Sequence, residues 1–226
     1  MTIQHHLGDE ILLEYASGAL SEGWSLAVAS HMALCPSCRR RLAVLEQAGG
    51  IMIKQIECAD AATDQAWDSM RARLADEGGA RTETPATEVP SATGQARGKS
   101  VLPEPLRSYV GGDVDALKWK ALGRSASHVM VTTGDPSTRV RLLRIPGGKP
   151  VPEHSHGGRE LTLVLAGSYM DGDQRFGRGD LEEADEEVMH QPIADDGEDC
   201  ICVVVTDAPI RFKNWFFQLL QPALKI

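Results

Sequence analysis

The chain has 226 residues, 42% of them hydrophobic and 5% aromatic, with a formal net charge of −9. Its length admits one or two domains with packed cores, and the scarcity of aromatic residues argues against a base-stacking nucleic-acid platform. Both halves are acidic, with six Lys/Arg against eleven Asp/Glu in residues 1–77 and fourteen against nineteen in residues 101–226, so neither offers the basic footprint that direct DNA or RNA binding needs.

The longest apolar runs, such as Cys200 to Val205, fall far short of the ~20 residues that span a bilayer, so no membrane partner is expected. The opening Met-Thr-Ile-Gln-His-His has no basic n-region leading into an apolar h-region, and no signal peptide is expected. Five cysteines, two of them in a Cys-x-x-Cys pair, fit a reducing, cytoplasmic location and metal binding better than a disulfide framework.

Residues 7 to about 76 read as helical. Asp9 is expected to cap a first helix carrying Ile11, Leu12 and Tyr15. A second helix is expected from Ser21 through His31, with Trp24, Val28 and His31 on one face. Pro36 suits the first turn of a third, because its missing N–H would have no partner there. That helix is read through Leu42 and Leu45 and is expected to stop before Gly49-Gly50. A fourth, Thr63 to Glu77, places Trp67, Met70 and Leu74 on one face. Residues 78–100 are rich in Gly, Ser, Thr, Ala and Pro and are expected to form a flexible linker.

From Val101 onward the texture becomes β. Ser127–Thr133, Thr138–Ile145, Glu160–Ala166 and Cys200–Thr206 are rich in Val, Ile, Leu and Thr, and Gly, Pro and Asp clusters separate them. Many short strands with turns between them predict a sandwich or small barrel.

Two residue constellations carry chemistry. The first is His31-Met-Ala-Leu-Cys35-Pro-Ser-Cys38. Both sulfurs fall on the same side of a helical first turn, where free N–H groups and the helix dipole favour thiolate. Zinc takes four N/S ligands in closed structural sites, and a fourth nitrogen is available at His5 or His6. His6 is preferred, although spacing alone does not decide between them. The competing reading is a redox thiol pair. The histidines, and the need of a small helical unit for a staple, favour zinc. Cys58 fits neither pattern.

The second constellation is His154, His156, Glu160 and His190. His154 and His156 share strand parity and so point to one face. Glu160 has the same parity at the head of an apolar strand, where a carboxylate is costly to bury unpaired. A divalent metal suits three imidazoles and one carboxylate. Zinc is the first choice, with iron, manganese and nickel also compatible. His128 is read as structural, Cys200 and Cys202 as core filling, and the acidic run Asp180–Glu187 as a solvated turn.

The spacing Gly148, five residues, His154-x-His156, three residues, Glu160, six residues, Gly167 matches the first cupin motif throughout. In the second motif Gly179 and His190 keep their places, while Asp185, Glu187 and Ala194 replace the usual Pro, Gly and Asn. With the amino-terminal pattern, the chain resembles the ChrR-type zinc-binding anti-sigma factors. The resemblance implies a multidomain α + β protein. Residues 1–77 would be a zinc-stapled all-α anti-sigma domain, 78–100 a linker, and 101–226 an all-β cupin barrel of the double-stranded β-helix or jelly-roll type. It implies a regulator rather than an enzyme, whose helical domain binds an extracytoplasmic-function sigma factor one to one and keeps it from RNA polymerase. The cupin domain would be needed for release under oxidative stress such as singlet oxygen. His6, His31, Cys35 and Cys38 would then hold structural zinc, and His154, His156, Glu160 and His190 a second metal. Trp67, Met70 and Leu74 would either face the sigma factor in a helix-in-groove contact or complete the helical core. The rival function is a metal-dependent cupin dioxygenase or isomerase with a zinc-binding appendage.

Overall fold

The structure, a computed structural model, describes residues 2–57, 63–80, 100–123 and 126–212. Most of the expected linker and Cys58 lie outside the described residues.

Four helices come first: α1 (Asp9–Ala16), α2 (Glu22–Leu34), α3 (Pro36–Lys54) and α4 (Thr63–Ala80). Asp9 does not cap α1. Gly8 stands at the N-cap with extended backbone, and Asp9 pairs from the first turn with Arg41 of α3, a place where the helix dipole also favours its charge. Ser21 does take the N-cap position of α2, and Pro36 opens α3. The third helix does not stop at Gly49-Gly50 but runs to Lys54. Each helical glycine costs only about 1 kcal/mol relative to alanine, and neither a proline nor a cap intervenes.

The carboxy-terminal part is not purely β, since α5 (Glu104–Val110) precedes the strands and buries Leu106. The strands are β1 (Lys120–Leu122), β2 (Ala126–Val131), β3 (Arg139–Ile145), β4 (His154–His156), β5 (Glu160–Ala166), β6 (Ser168–Asp171), β7 (Gln174–Gly177), β8 (Leu181–Ala184), β9 (Ile193–Ala194), β10 (Cys200–Thr206) and β11 (Ile210–Phe212). A six-stranded antiparallel sheet runs in the order β1-β2-β3-β10-β5-β8. Two small sheets, β11-β4 and β7-β6-β9, accompany it.

The central strands β3, β5 and β10 are buried on both faces, and strand parity divides their side chains. Val140 and Leu142, Leu161, Leu163 and Leu165, and Ile201, Val203 and Val205 join a core with Leu7, Ile11, Leu12, Trp24, Val28 and Met32 of the amino-terminal segment. Ile145, Val164, Cys200, Cys202 and Val204 face the other way, towards Tyr169 and Phe176. Cys200 and Cys202 therefore do fill core, with their sulfurs 3.5 Å apart.

Helix α2 lies close on β3. A Cβ on Gly23 would stand 2.3 Å from Oγ1 of Thr138 and 2.9 Å from a methyl of Val140. Glu22 ties the helix start to α5 and to the β2–β3 turn, accepting from the Tyr109 hydroxyl at 2.7 Å and from the Gly134 N–H at 2.6 Å. The guanidinium of Arg159 sits over the Trp24 ring, a cation–π contact.

By their contacts the residues form two compact units, Met1–Gln47 with Ser100–Ile226, and Ala48–Lys99. These do not follow the ranges 1–77, 78–100 and 101–226, because the large sheet closes the apolar faces of α1 and α2. In the second unit the described side chains of α4, residues 65–75, are all exposed. Trp67, Met70 and Leu74 are 57%, 52% and 61% exposed.

Candidate metal centres

The amino-terminal centre is built where α2 ends and α3 begins. The α2 carbonyl of His31 accepts from the Cys35 N–H at 2.7 Å, which sets the last turn of the helix. The extended backbone at Cys35 then swings the chain into α3. His31, Cys35 and Cys38 are buried, and His6 comes from the segment before α1. Nδ1 of His6 lies 3.3 Å from Sγ of Cys35 and 3.6 Å from Sγ of Cys38. One ligand atom from each of the four residues falls within 4.8 Å of all the others. His5 points elsewhere: its ring lies 4.3 Å from that of Phe176.

The hydrogen bonding of His31 leaves one ring nitrogen open. Its Nδ1 stands 2.9 Å from the carbonyl oxygen of Gly179. A carbonyl only accepts, so Nδ1 carries the proton and Nε2 keeps a lone pair. That Nε2 is buried without a hydrogen-bond partner. Burial outweighs the Gly179 hydrogen bond and lowers the His31 pKa to about 4, so the ring is neutral at physiological pH. Burial also pushes the Cys38 thiol up in the metal-free chain. Four N/S atoms around zinc at 2.0–2.3 Å stand about 3.3–3.8 Å apart in a tetrahedron. The His6–cysteine distances and the orphaned His31 nitrogen fit that ion.

The second group comes from β4, the start of β5 and the segment before β9. The backbones of His154 and His190 exchange two N–H···O bonds, each 3.0 Å long, which brings their imidazoles side by side. His154 and His156 share a face of β4 and are both buried. Nε2 of His190 lies 3.1 Å from Nε2 of His156 and 3.2 Å from Nε2 of His154. Glu160, at the start of β5, completes a set of four whose ligand atoms all lie within 4.8 Å of one another. Nδ1 of His154 faces the Pro152 carbonyl at 2.8 Å, so its Nε2 is free to ligate. Imidazoles sharing an ion at about 2.0–2.1 Å bring their nitrogens to about 3.0–3.4 Å, and this triplet fits.

The charges around this centre differ from residue to residue. Burial, with His190 nearby, lowers the His154 pKa to about 4. Burial alone would raise the Glu160 carboxyl, but His156 and the other two imidazoles pull it below its ordinary value. Burial opposes the charged form of His190, yet Glu182 and Asp171 outweigh it and raise that pKa to about 9. Oδ2 of Asp171 is 2.8 Å from Nδ1 of His190, and Oε1 of Glu182 is 3.6 Å away. Burial pushes the Glu182 carboxyl up, whereas for Asp171 the hydrogen bonds to Glu182 and His190 outweigh burial and pull its carboxyl down.

Asp171 and Glu182 escaped the sequence reading, and so did Asp180. The expectation of a solvated turn over Asp180–Glu187 does not hold at its start. Asp180 is 5% exposed and accepts from the Gln4, His5 and Gly177 N–H groups. Leu181–Ala184 is a sheet strand, and its inward parity is what turns Glu182 towards His190. His128 joins neither centre.

Over all 226 residues, and over the whole of that protein, the chain is 41% identical to anti-sigma-E factor ChrR of Cereibacter sphaeroides. The chain belongs to the ChrR family of anti-sigma factors. Residues 108–209 match the family model of the ChrR cupin-like domain. The crystal structure of Rhodobacter sphaeroides SigE in complex with the anti-sigma factor ChrR is also similar. That match has 38% identity and a TM-score of 0.74, and it covers 91% of this chain and 99% of the solved one. Amino-terminal helices followed by a β-rich cupin-like domain are thus the family architecture. Among the described residues no helix is long and apolar enough to cross a membrane.

Proposed function

We propose that this chain is a cytoplasmic anti-sigma factor. It binds an extracytoplasmic-function sigma factor, one to one, and withholds it from RNA polymerase. The observation that carries this reading is the end-to-end match to a ChrR protein, supported by the solved relative in complex with SigE. Residues 1–77 are assigned the inhibitory role and 101–226 the cupin role. His6, His31, Cys35 and Cys38 would hold zinc as a structural ion, fixing the amino-terminal segment to the α2–α3 corner. His154, His156, Glu160 and His190 would hold a second divalent metal, zinc being the first choice. There Glu160 supplies the negative charge, and the carboxylates behind His190 orient its ring.

The exposed stripe Trp67, Met70 and Leu74 is the proposed sigma-binding face, in the manner of an amphipathic helix entering a groove. No catalytic role is proposed. The cupin half would release the sigma factor under oxidative stress such as singlet oxygen. Purification of the full chain from native extract, with metal analysis, tests the assignment. Two metals per chain and a stoichiometric sigma subunit are the expected result. A metal-bearing chain that binds no sigma factor, or that turns over oxygen or a small carbonyl compound, would count against it.

A further inference from the structure

We propose that the cupin turn between β7 and β8 holds two ligands of the amino-terminal metal centre in place, with Gly179 and Asp180 as the positioning residues for His31 and His6. The proposal rests on the reading that His6, His31, Cys35 and Cys38 bind a metal.

The turn touches both ligands through separate groups. The Gly179 carbonyl fixes the tautomer of His31 from 2.9 Å and aims its Nε2 at the sulfurs. The neighbouring carboxylate reaches the other ligand through the backbone. Oδ1 of Asp180 accepts from the N–H of Gln4 at 2.6 Å and of His5 at 2.9 Å, the two amides immediately before His6. The Leu181 N–H adds a longer bond, 3.4 Å, to the His5 carbonyl. On the far side of His6, the Leu7 carbonyl accepts from Arg41 of α3 at 2.8 Å. His6 is therefore suspended between a barrel anchor and a helix anchor, and the barrel anchor is Asp180.

Close approach is built into the turn. Gly179 has φ +93°, and a Cβ there would lie 2.6 Å from Cδ1 of Ile3. A side chain at this position would push the amino-terminal segment off the barrel as well as straining the backbone. The turn is itself tied to β5, since the Gly179 N–H donates to the Val164 carbonyl at 2.8 Å and the Val164 N–H to the Asp180 carbonyl at 3.1 Å. Simple packing between the halves would not need a buried carboxylate. A carboxylate that bonds consecutive amides beside a metal ligand is the arrangement that fixes the ligand's position. Partners of this kind typically tune metal affinity 10–100-fold.

The test uses the full chain loaded with cobalt(II), because only a site with thiolates gives the sulfur-to-cobalt charge-transfer band. The cupin cobalt, which has no sulfur ligand, serves as an internal control. Asp180→Asn keeps the side-chain size and removes the charge. Gln4→Pro removes one donor from the opposite side and leaves every bond of the barrel intact. Both variants are expected to lose the charge-transfer band to added chelator faster than the unaltered chain. The expected acceleration is about 10–100-fold for Asp180→Asn and smaller for Gln4→Pro, with the cupin cobalt retained. Release at the unaltered rate from either variant overturns the proposal. So does fast release accompanied by loss of the cupin cobalt, which would mark general loosening of the barrel. Absence of the band in the unaltered chain would instead defeat the metal reading beneath it.

Discussion

Oδ2 of Asp171 stands 2.8 Å from Nδ1 of His190, on the side of the ring opposite the nitrogen that faces His154 and His156. The carboxylate fixes the proton on Nδ1 and leaves Nε2 for a metal. Asp171→Ala is expected to weaken metal binding at the cupin centre about 10–100-fold. The amino-terminal centre should be unaffected. A metal titration of both sites in the full chain checks this, and equal binding by the variant would remove the role.

Trp67 and Leu74 expose more than half of their surface on α4. Trp67→Ala and Leu74→Ala should each weaken the sigma complex by about 1–3 kcal/mol, roughly 5–150-fold, as central apolar anchors do. As exposed side chains of α4, they should change stability by no more than a typical surface substitution does, about ±0.5 kcal/mol. Calorimetric titration against the sigma factor and thermal melts decide together. Loss of fold along with loss of binding would return the stripe to a structural role.

Gly23 allows α2 to lie against β3. Alanine there gains about 1 kcal/mol of helix propensity, but its Cβ would crowd Oγ1 of Thr138, Cβ of Thr138 and a methyl of Val140 at 2.3, 3.1 and 2.9 Å. Overpacking of this kind costs about 1–3 kcal/mol, and rotating Thr138 relieves only part of it. Gly23→Ala is expected to lower stability in chemical denaturation despite the better helix former. A stabilised variant would show that α2 can move away from the sheet.

Acid should unfold the metal-free chain through its buried imidazoles. His31 and His154 both have pKa values lowered to about 4 from 6.5. Between those values the unfolded chain binds more protons than the folded one, so stability falls as pH drops through that window and levels off below it. Each residue contributes on the order of 3 kcal/mol. His190, raised to about 9, acts in the opposite sense: its contribution is complete below pH 6.5 and is lost as pH rises through 9. Denaturation midpoints from pH 4 to 9 should therefore peak between the two windows. A flat profile from 4 to 6.5 would contradict the burial of these rings.

Much of this molecule was legible in its sequence because the informative residues recur at fixed periods. Strand parity placed His154 and His156 on one face, and the turn geometry after α2 brought Cys35 and Cys38 together with His31. The strands β5 and β10 begin and end where the apolar runs do. What could not be read depends on contacts between distant segments. Asp180 looks like one acid in a run of acids until the amides of Gln4 and His5 close on it. Asp171 gains its role only because a turn carries it to His190. Asp9 has the chemistry of a cap, but Arg41 draws it into the first turn instead. The continuous core between α1, α2 and the large sheet was likewise hidden. The apolar faces of α1 and α2 do not say in the sequence which element covers them.

That core has a mechanical consequence. Val28, Met32 and Ile11 interdigitate with the outward residues of β3, β5 and β10, and each such side chain removed from water contributes about 1.5–3 kcal/mol. Pulling the first two helices off the sheet would therefore wet a greasy surface and behave as partial melting, with the heat-capacity rise that accompanies it. A hinge would give no such signal. A stress input that parts these layers must supply free energy on the scale of folding, so the response would be switch-like and steeply dependent on temperature.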